Sequence, residues 1–285
     1  MIISQDSNKA ATYQDLKARV VSGVLGFLLM LMAILWDGWS FSLIFLGILI
    51  LTQLEFYKLV RLAGYTPLRH YGTALGIALY GMMYLVENAY LPTQAYLALY
   101  PLFGLVMIFR LYQKSTSNPF GDIGFTLLGI AQVALPLSLI QLIAFETDST
   151  YRPDVVLAIL FLIWTHDIAA YFGGRQWGKH PLFLRISPKK TWEGSITGSV
   201  ACLLMALAFR YIFPALTPWV WMSVALIVIV LGTYGDLVMS MYKRALQIKD
   251  VSNAIPGHGG FLDRFDGLLL ATPFIVLLLK LLGKV

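Results

Sequence analysis

The chain has 285 residues, of which 58% are hydrophobic and only 13% are Asp, Glu, Lys or Arg, and its mean hydropathy is +0.73. A soluble fold of this length needs more polar surface to stay dissolved, so the composition excludes a soluble globular protein and indicates a polytopic helical membrane protein. The net charge of +6 implies no nucleic-acid partner, because basic cytoplasmic flanks of membrane helices account for it. The lone Cys202, inside an apolar run, excludes disulfides and cysteine metal sites and reads as a packing residue.

Residues 1–19 contain no short apolar core followed by a small-residue cleavage site, so neither a removable signal peptide nor a transit peptide is expected. A membrane span takes about 20 apolar residues. Nine segments qualify: 20–36, 39–57, 71–86, 89–110, 123–145, 154–172, 192–213, 217–238 and 267–283. The third is short and Gly-rich, which leaves its boundaries the least defined. The loops between segments are brief, so residues 1–285 read as one integral membrane domain. Helices in 1–152 carry few motifs, and 153–285 carries the polar loops. The expected fold is all-α, with about nine transmembrane helices.

With the N-terminus inside, the segments 1–19, 58–70, 110–122, 173–191 and 239–266 are cytoplasmic and hold 17 of the 21 basic residues; only Arg152, Arg210, Lys280 and Lys284 fall elsewhere. This asymmetry predicts a cytoplasmic N-terminus and a C-terminus on the opposite side. The polar loops 173–191 and 239–266 then face the nucleotide-bearing compartment.

Segment 154–172 contains Asp167, twelve residues beyond Val155 and hence about 18 Å along a helix. A carboxylate at that depth costs roughly 2.5–3.5 kcal/mol even on lenient scales. Asp236 closes segment 217–238 after Gly232 and Gly235. Asp263 and Asp266 open the last segment three residues apart, on one helix face. Four carboxylates from three helices are thus expected at one membrane level. Simple ion pairing is the competing explanation: Asp250 beside Lys249 reads equally well that way, and Asp263 could pair with Arg264. Asp236 has no base within one helical turn. Oxygen ligands without a cysteine cluster suit Mg²⁺ rather than zinc, with the number of ions left open between one and two.

The cations complement these acids. Segment 173–194 carries Arg175, Lys179, Arg185, Lys189 and Lys190, of which Arg185 reads as ordinary loop decoration. Ser187-Pro188 leads into Lys189-Lys190-Thr191, where Thr191 is placed to cap the following helix. Lysines beside a helix N-terminus favour phosphate. The polar stretch from Ser240 to Asp266 adds Lys243, Arg244, Lys249 and Arg264. It also contains His258 with Gly259 and Gly260, whose backbone permits close approach to a ligand. Glycines also simply connect elements, and a lone His is often only a hydrogen-bonded loop residue. Together the residues point to phosphoryl or nucleotidyl transfer. No Ser-His-Asp or Cys-His arrangement offers a protein nucleophile, and none is needed when a lipid substrate brings its own phosphate.

Ser240, Lys243-Arg244, Lys249-Asp250, Ser252, Pro256, His258-Gly259-Gly260, Asp263-Arg264 and Asp266 resemble the signature of the phosphatidate cytidylyltransferases, or CDP-diacylglycerol synthases. Asp167, Ala170-Tyr171-Phe172, Gly174-Arg175, Gly178-Lys179, Ser187-Pro188 and Lys190-Thr191-Trp192-Glu193-Gly194 resemble that family's second block. The resemblance is close over the C-terminal half and extends to the rest by topology. It implies condensation of CTP with phosphatidate to CDP-diacylglycerol and pyrophosphate, Mg²⁺ dependence and a homodimer. It also implies an active site facing the cytoplasm, in a bacterial inner membrane.

By motif position, Asp236 and Asp263 would hold the metal. Asp266, Lys243, Arg244, Lys249, His258 and Arg264 would complete the catalytic set. Asp167, Arg175, Lys179, Ser187, Lys189, Lys190, Thr191, Gly259 and Gly260 would bind substrate. Three positions depart from the pattern: Met239 where the family usually has Glu, Tyr242, and Ile168. Met239 removes a carboxylate and leaves open a paralogue acting on another lipid phosphate. A CTP-dependent lipid kinase would release CDP instead of pyrophosphate. An anion transporter would also need buried charge, but here the ions gather at one face and no inverted repeat is visible.

Overall fold

A computed structural model describes residues 21–113, 118–145, 150–252, 254 and 259–284, and each predicted apolar segment overlaps a helix in it. In chain order these are α1 (Val21–Trp36), α2 (Gly38–Leu62), α3 (Arg69–Glu87), α4 (Thr93–Leu111), α5 (Pro119–Ala144), α6 (Pro153–Trp177), α7 (Trp192–Ile212), α8 (Pro218–Ala245) and α9 (Leu262–Leu281). Six of them, α2 and α4 to α8, are long and apolar enough to cross a membrane. The protein is an integral membrane protein built almost wholly of helices.

Local chemistry sets the ends. Asp37 and Ser40 form a capping box at the start of α2, with Gly38 N donating to Asp37 Oδ1 at 2.7 Å. Asn118 caps α5 ahead of Pro119, and prolines also open α6 and α8. Thr191 caps α7 as expected, its hydroxyl accepting from Gly194 N at 3.2 Å.

The expected helix ends, and the residue placements that follow from them, need correction. Helices α2, α6 and α8 outrun their apolar segments, ending at Leu62, Trp177 and Ala245. Hydropathy marks where lipid ends, whereas a backbone can keep its helical bonds into water. Arg175, Lys243 and Arg244 therefore stand on helices rather than in loops, and Asp236 lies well inside α8 rather than at its end. One short piece of sheet accompanies the all-α arrangement. Strands β1 (Pro181–Phe183) and β2 (Ser187–Thr191) form an antiparallel hairpin, with Pro181 opposite Thr191 and Phe183 opposite Ser187. Strands of three and five residues are too short for alternation to register in the sequence.

Small residues let the C-terminal helices approach closely. A Cβ on Gly194 would stand 2.6 Å from Ala170 O, and one on Gly198 2.7 Å from His166 O. The α6–α7 contact is thus backbone against backbone, the usual packing mode where lipid supplies no hydrophobic drive. The α8–α9 crossing is equally tight: a Cβ on Gly235 would overlap the Asp266 carbonyl oxygen and lie 3.0 Å from Gly267 Cα. One turn earlier, α8 widens into a π-helical stretch at Val228–Gly232, a distortion that recurs near functional sites. Cys202 is fully buried between α6 and α7, its thiol 3.7 Å from Leu162 O, in keeping with its packing role.

The N-terminal helices bury a polar core. Gln53 Nε2 donates to Tyr57 Oη at 3.1 Å and to Gly72 O at 3.0 Å, and Tyr57 Oη donates to Thr126 O at 2.8 Å. Arg110 of α4 pairs with Asp122 of α5, both nearly inaccessible, and Asp122 also accepts from Thr66 Oγ1 at 2.9 Å. Removing one partner strands a charge, at a cost of about 3–5 kcal/mol, whereas removing both does not. Arg110→Met should accordingly lower the thermal denaturation midpoint in detergent far more than the double change Arg110→Met with Asp122→Asn.

Candidate active site

The ends of α6, α8 and α9 and the hairpin bring the predicted polar residues together. Asp236 on α8 forms an ion pair with Lys190 of β2, both about one-third exposed. Asp236 has no base within one helical turn, as read from the sequence, but the ion pairing weighed against metal binding is present: its base comes from the hairpin, through a contact that spacing along one helix cannot disclose. Asp266 on α9 sits within electrostatic reach of Asp236, Lys190 and Asp167. The predicted convergence of acids from three helices is present for these three carboxylates. Asp167 itself is exposed on α6, 3.4 Å from the imidazole of the buried His166.

Asp263 occupies a second pair. Lys243 Nζ lies 2.7 Å from Asp263 Oδ1, with the two side chains only 14% and 8% exposed. Lys243, rather than the adjacent Arg264, is thus the partner among the described residues. A helix points consecutive side chains about 100° apart, so residue 264 faces away from residue 263. The other oxygen, Oδ2, is buried without a partner among the described residues. It faces Gly259, whose backbone takes the left-handed conformation at φ +84°. A Cβ there would lie 3.8 Å from Asp263 Oδ2 and 3.5 Å from Asp250 Oδ1. Two carboxylate oxygens therefore flank a space kept open by a missing side chain.

This donor set fits a hard cation. Among the described residues no three Asp, Glu, His or Cys side chains converge into a cage. Mg²⁺ needs none, since it is usually held by one or two carboxylates together with substrate phosphates and water. Asp236 and Asp263 stand in separate lysine pairs, each acid compensated by an ammonium group.

Around the acids, Arg175, Lys179 and Lys189 are exposed and carry no ion pair among the described residues. Arg244 Nε donates to Ile186 O at 3.4 Å, tying the end of α8 to the hairpin turn. Lys249 and Asp250 are both exposed. Ser187 begins β2, and Ser240 lies on α8 near Lys243. His258 lies outside the described residues, and Arg264 is exposed at the start of α9. Met239 is 2% exposed and belongs to the hydrophobic core, so a carboxylate at that position would be buried among apolar side chains.

Two further carboxylates escaped the sequence reading as functional groups. Glu193, in the first turn of α7, accepts from the backbone amides of Lys179 and His180 at 3.0 and 3.2 Å and from His180 Nδ1 at 2.6 Å. It pins the first turn of α7 to the segment that joins α6 to the hairpin. Glu55 of α2 reaches the loop before α9 from the opposite half of the chain. Glu193 falls within the second block of the resemblance without a role of its own, and no local pattern marks Glu55, whose contacts are distant in sequence.

The pairing of Lys190 with Asp236 separates it from the exposed Arg185 in the hairpin turn. Lys190→Met should lower any phosphate-dependent turnover about 10- to 100-fold, the worth of a charge-assisted hydrogen bond. Arg185→Ala should leave turnover within a factor of about two, as expected for a solvated charge. Steady-state assays of the two variants side by side check both expectations.

Comparison with known proteins places these residues in a wider frame. Residues 17–282 match the cytidylyltransferase family. The chain is similar to the phosphatidate cytidylyltransferase of Bacillus subtilis (strain 168), with 30% identity over 273 residues that cover 94% of this chain and 98% of that protein. It is 31% identical over 267 residues to the Staphylococcus aureus (strain COL) protein of the same name, covering 93% of this chain and 99% of that one. The Haemophilus influenzae protein of that name shows 31% identity over 283 residues, with coverage of 91% and 96%.

Proposed function

Because the chain belongs to the cytidylyltransferase family, we propose that it is a membrane nucleotidyltransferase that condenses CTP with phosphatidate, giving CDP-diacylglycerol and pyrophosphate in phospholipid synthesis. The observation that carries this reading is the group of Asp167, Asp236 and Asp266 beside Lys190, together with the separate Lys243–Asp263 pair, inside a family match that spans almost the whole chain.

In this reaction a phosphatidate oxygen attacks the α-phosphorus of CTP. A new P–O bond forms as the bond to the β-phosphate bridging oxygen breaks, and pyrophosphate leaves with that oxygen and its electron pair. No protein nucleophile takes part. Asp263 would hold Mg²⁺ through its unpartnered Oδ2, and Asp236 would share that role. When bound, the ion neutralises charge on the reacting phosphates. Arg175, Lys179, Lys189, Lys190, Lys243 and Arg244 attract and orient the two polyanionic substrates. The ends of α6, α8 and α9 fix the acids on rigid elements.

The same reading covers the membrane arrangement. The chain crosses a bacterial membrane about nine times, with its N-terminus and active site on the cytoplasmic side, and works as a homodimer. The concentration of basic residues on one set of loops supports this orientation.

Purified protein should release labelled pyrophosphate from CTP only when phosphatidate and Mg²⁺ are both present. Release of CDP instead would replace nucleotidyl transfer with γ-phosphoryl transfer, and absence of both products would remove the enzymatic reading.

A further inference from the structure

We propose that Glu55, in the N-terminal half of the chain, is a positioning residue for the carboxylate of Asp263. The inference rests on the reading that Asp263 holds the divalent cation. Glu55 is 7% exposed on α2, where a buried carboxyl group is retained only for strong compensating contacts. Its two oxygens divide the work. One accepts a hydrogen bond from the Ser252 hydroxyl, and the other accepts from Leu262 N at 2.9 Å.

The second bond caps α9 from outside. That helix begins at Leu262, and its N-cap residue, Phe261, supplies no side-chain bond. The first-turn amide is satisfied by a carboxylate 207 residues away in sequence, placed where the positive end of the helix dipole favours it. Glycine at position 260 follows from the same contact: a Cβ there would overlap Glu55 Oε2 and lie 3.0 Å from Ser252 Oγ. Ser252 in turn accepts from Ala254 N at 3.3 Å.

Glu55 thus grips the signature loop on both sides of Gly259, at Ser252 upstream and at Leu262 downstream. Asp263 is the next residue after Leu262. The opening at Gly259 lies inside the segment that Glu55 fastens, and the orphaned Oδ2 of Asp263 lies at its downstream edge. The N-terminal helices are therefore more than a scaffold, because α2 fastens the first turn of α9, which carries the cation ligand.

The test is Mn²⁺ binding to the full-length protein in detergent, followed by loss of the free-ion EPR signal. Glu55→Ala should weaken Mn²⁺ binding about 10- to 100-fold, as loss of an outer hydrogen-bond partner does at metal sites. Glu55→Gln should recover most of that affinity, since an amide oxygen still accepts from Leu262 N and the Ser252 hydroxyl can rotate to accept from the amide. Ser252→Ala should cost about 3- to 10-fold. Wild-type Mn²⁺ affinity in Glu55→Ala overturns the proposal. So does a Glu55→Gln variant as weak as Glu55→Ala, which would make the charge itself the active feature. Should Glu55→Ala fail to fold, Ser252→Ala decides, and unchanged affinity there overturns the proposal. Asp263→Asn in the same titration separates the two layers of argument. Normal Mn²⁺ binding in that variant removes the metal assignment itself, whereas weak binding there with normal binding in Glu55→Ala removes only the role of Glu55.

Discussion

Asp263→Asn should reduce CTP turnover with phosphatidate by about three orders of magnitude or more, while the protein still inserts in the membrane. The size follows from what the carboxylate does. Its Oδ2 is buried without a partner among the described residues, and its Oδ1 meets Lys243 at 2.7 Å. Asparagine keeps the shape but removes the negative charge a cation requires. It also strands the largely buried Lys243 ammonium, and breaking a buried pair from one side costs about 3–5 kcal/mol of stability. Lost activity could therefore come from lost fold. The double variant Asp263→Asn with Lys243→Met distinguishes the two, since removing both charges relieves the stranded ion. If the double variant regains the wild-type denaturation midpoint but still fails to bind Mn²⁺, a readout that loss of the Lys243 ammonium does not by itself abolish, the loss is chemical. Near-normal turnover in Asp263→Asn would remove the metal assignment.

Much of this architecture is legible in the amino-acid sequence. Runs of apolar residues locate the helices, because in lipid every backbone polar group must be satisfied within its own segment. Thr191 announces the start of α7 through capping chemistry that is local by nature. The acids Asp167, Asp236 and Asp266 stand out because a carboxylate in an apolar run calls for a partner. What those partners are is a different matter. Lys190 reaches Asp236 only because a short hairpin folds back beside α8, and no period in residues 181–191 signals that strand pairing.

Glu55 is the plainest case of illegibility. It sits between Leu54 and Phe56 with Lys58 one turn on, and looks like any acid near a helix end. Its bonds to Ser252 and Leu262 cross from one half of the protein to the other. Helix ends are illegible for a related reason. The apolar signal stops at the lipid boundary, while α6 and α8 carry their helical hydrogen bonds onward to Trp177 and Ala245. Those extra turns are what place Arg175, Lys243 and Arg244 on rigid supports.

Gly235→Ala should lower turnover about 100-fold, whereas Gly232→Ala, one turn away on the same helix, should leave it near the wild-type level. Both are helical glycines in α8, and both become better helix formers when replaced by alanine. Propensity alone predicts a small gain for each. The difference lies in what each new methyl group meets. At Gly232 it meets nothing within 4 Å. At Gly235 it runs into the carbonyl oxygen of Asp266 and lies 3.0 Å from Gly267 Cα. Both obstacles are backbone, so no side chain can rotate away, and α9 must move by about 1 Å, a displacement that typically costs 10²-fold in rate. Asp236 follows Gly235 directly, while Asp263 and Asp266 ride on α9, so the displacement separates the acids of one helix from those of the other. A wild-type rate in Gly235→Ala would mean that the spacing of α8 and α9 does not set the geometry of the reacting groups. A loss in Gly232→Ala of the same size would point instead to the π-helical stretch at Val228–Gly232 as the sensitive element.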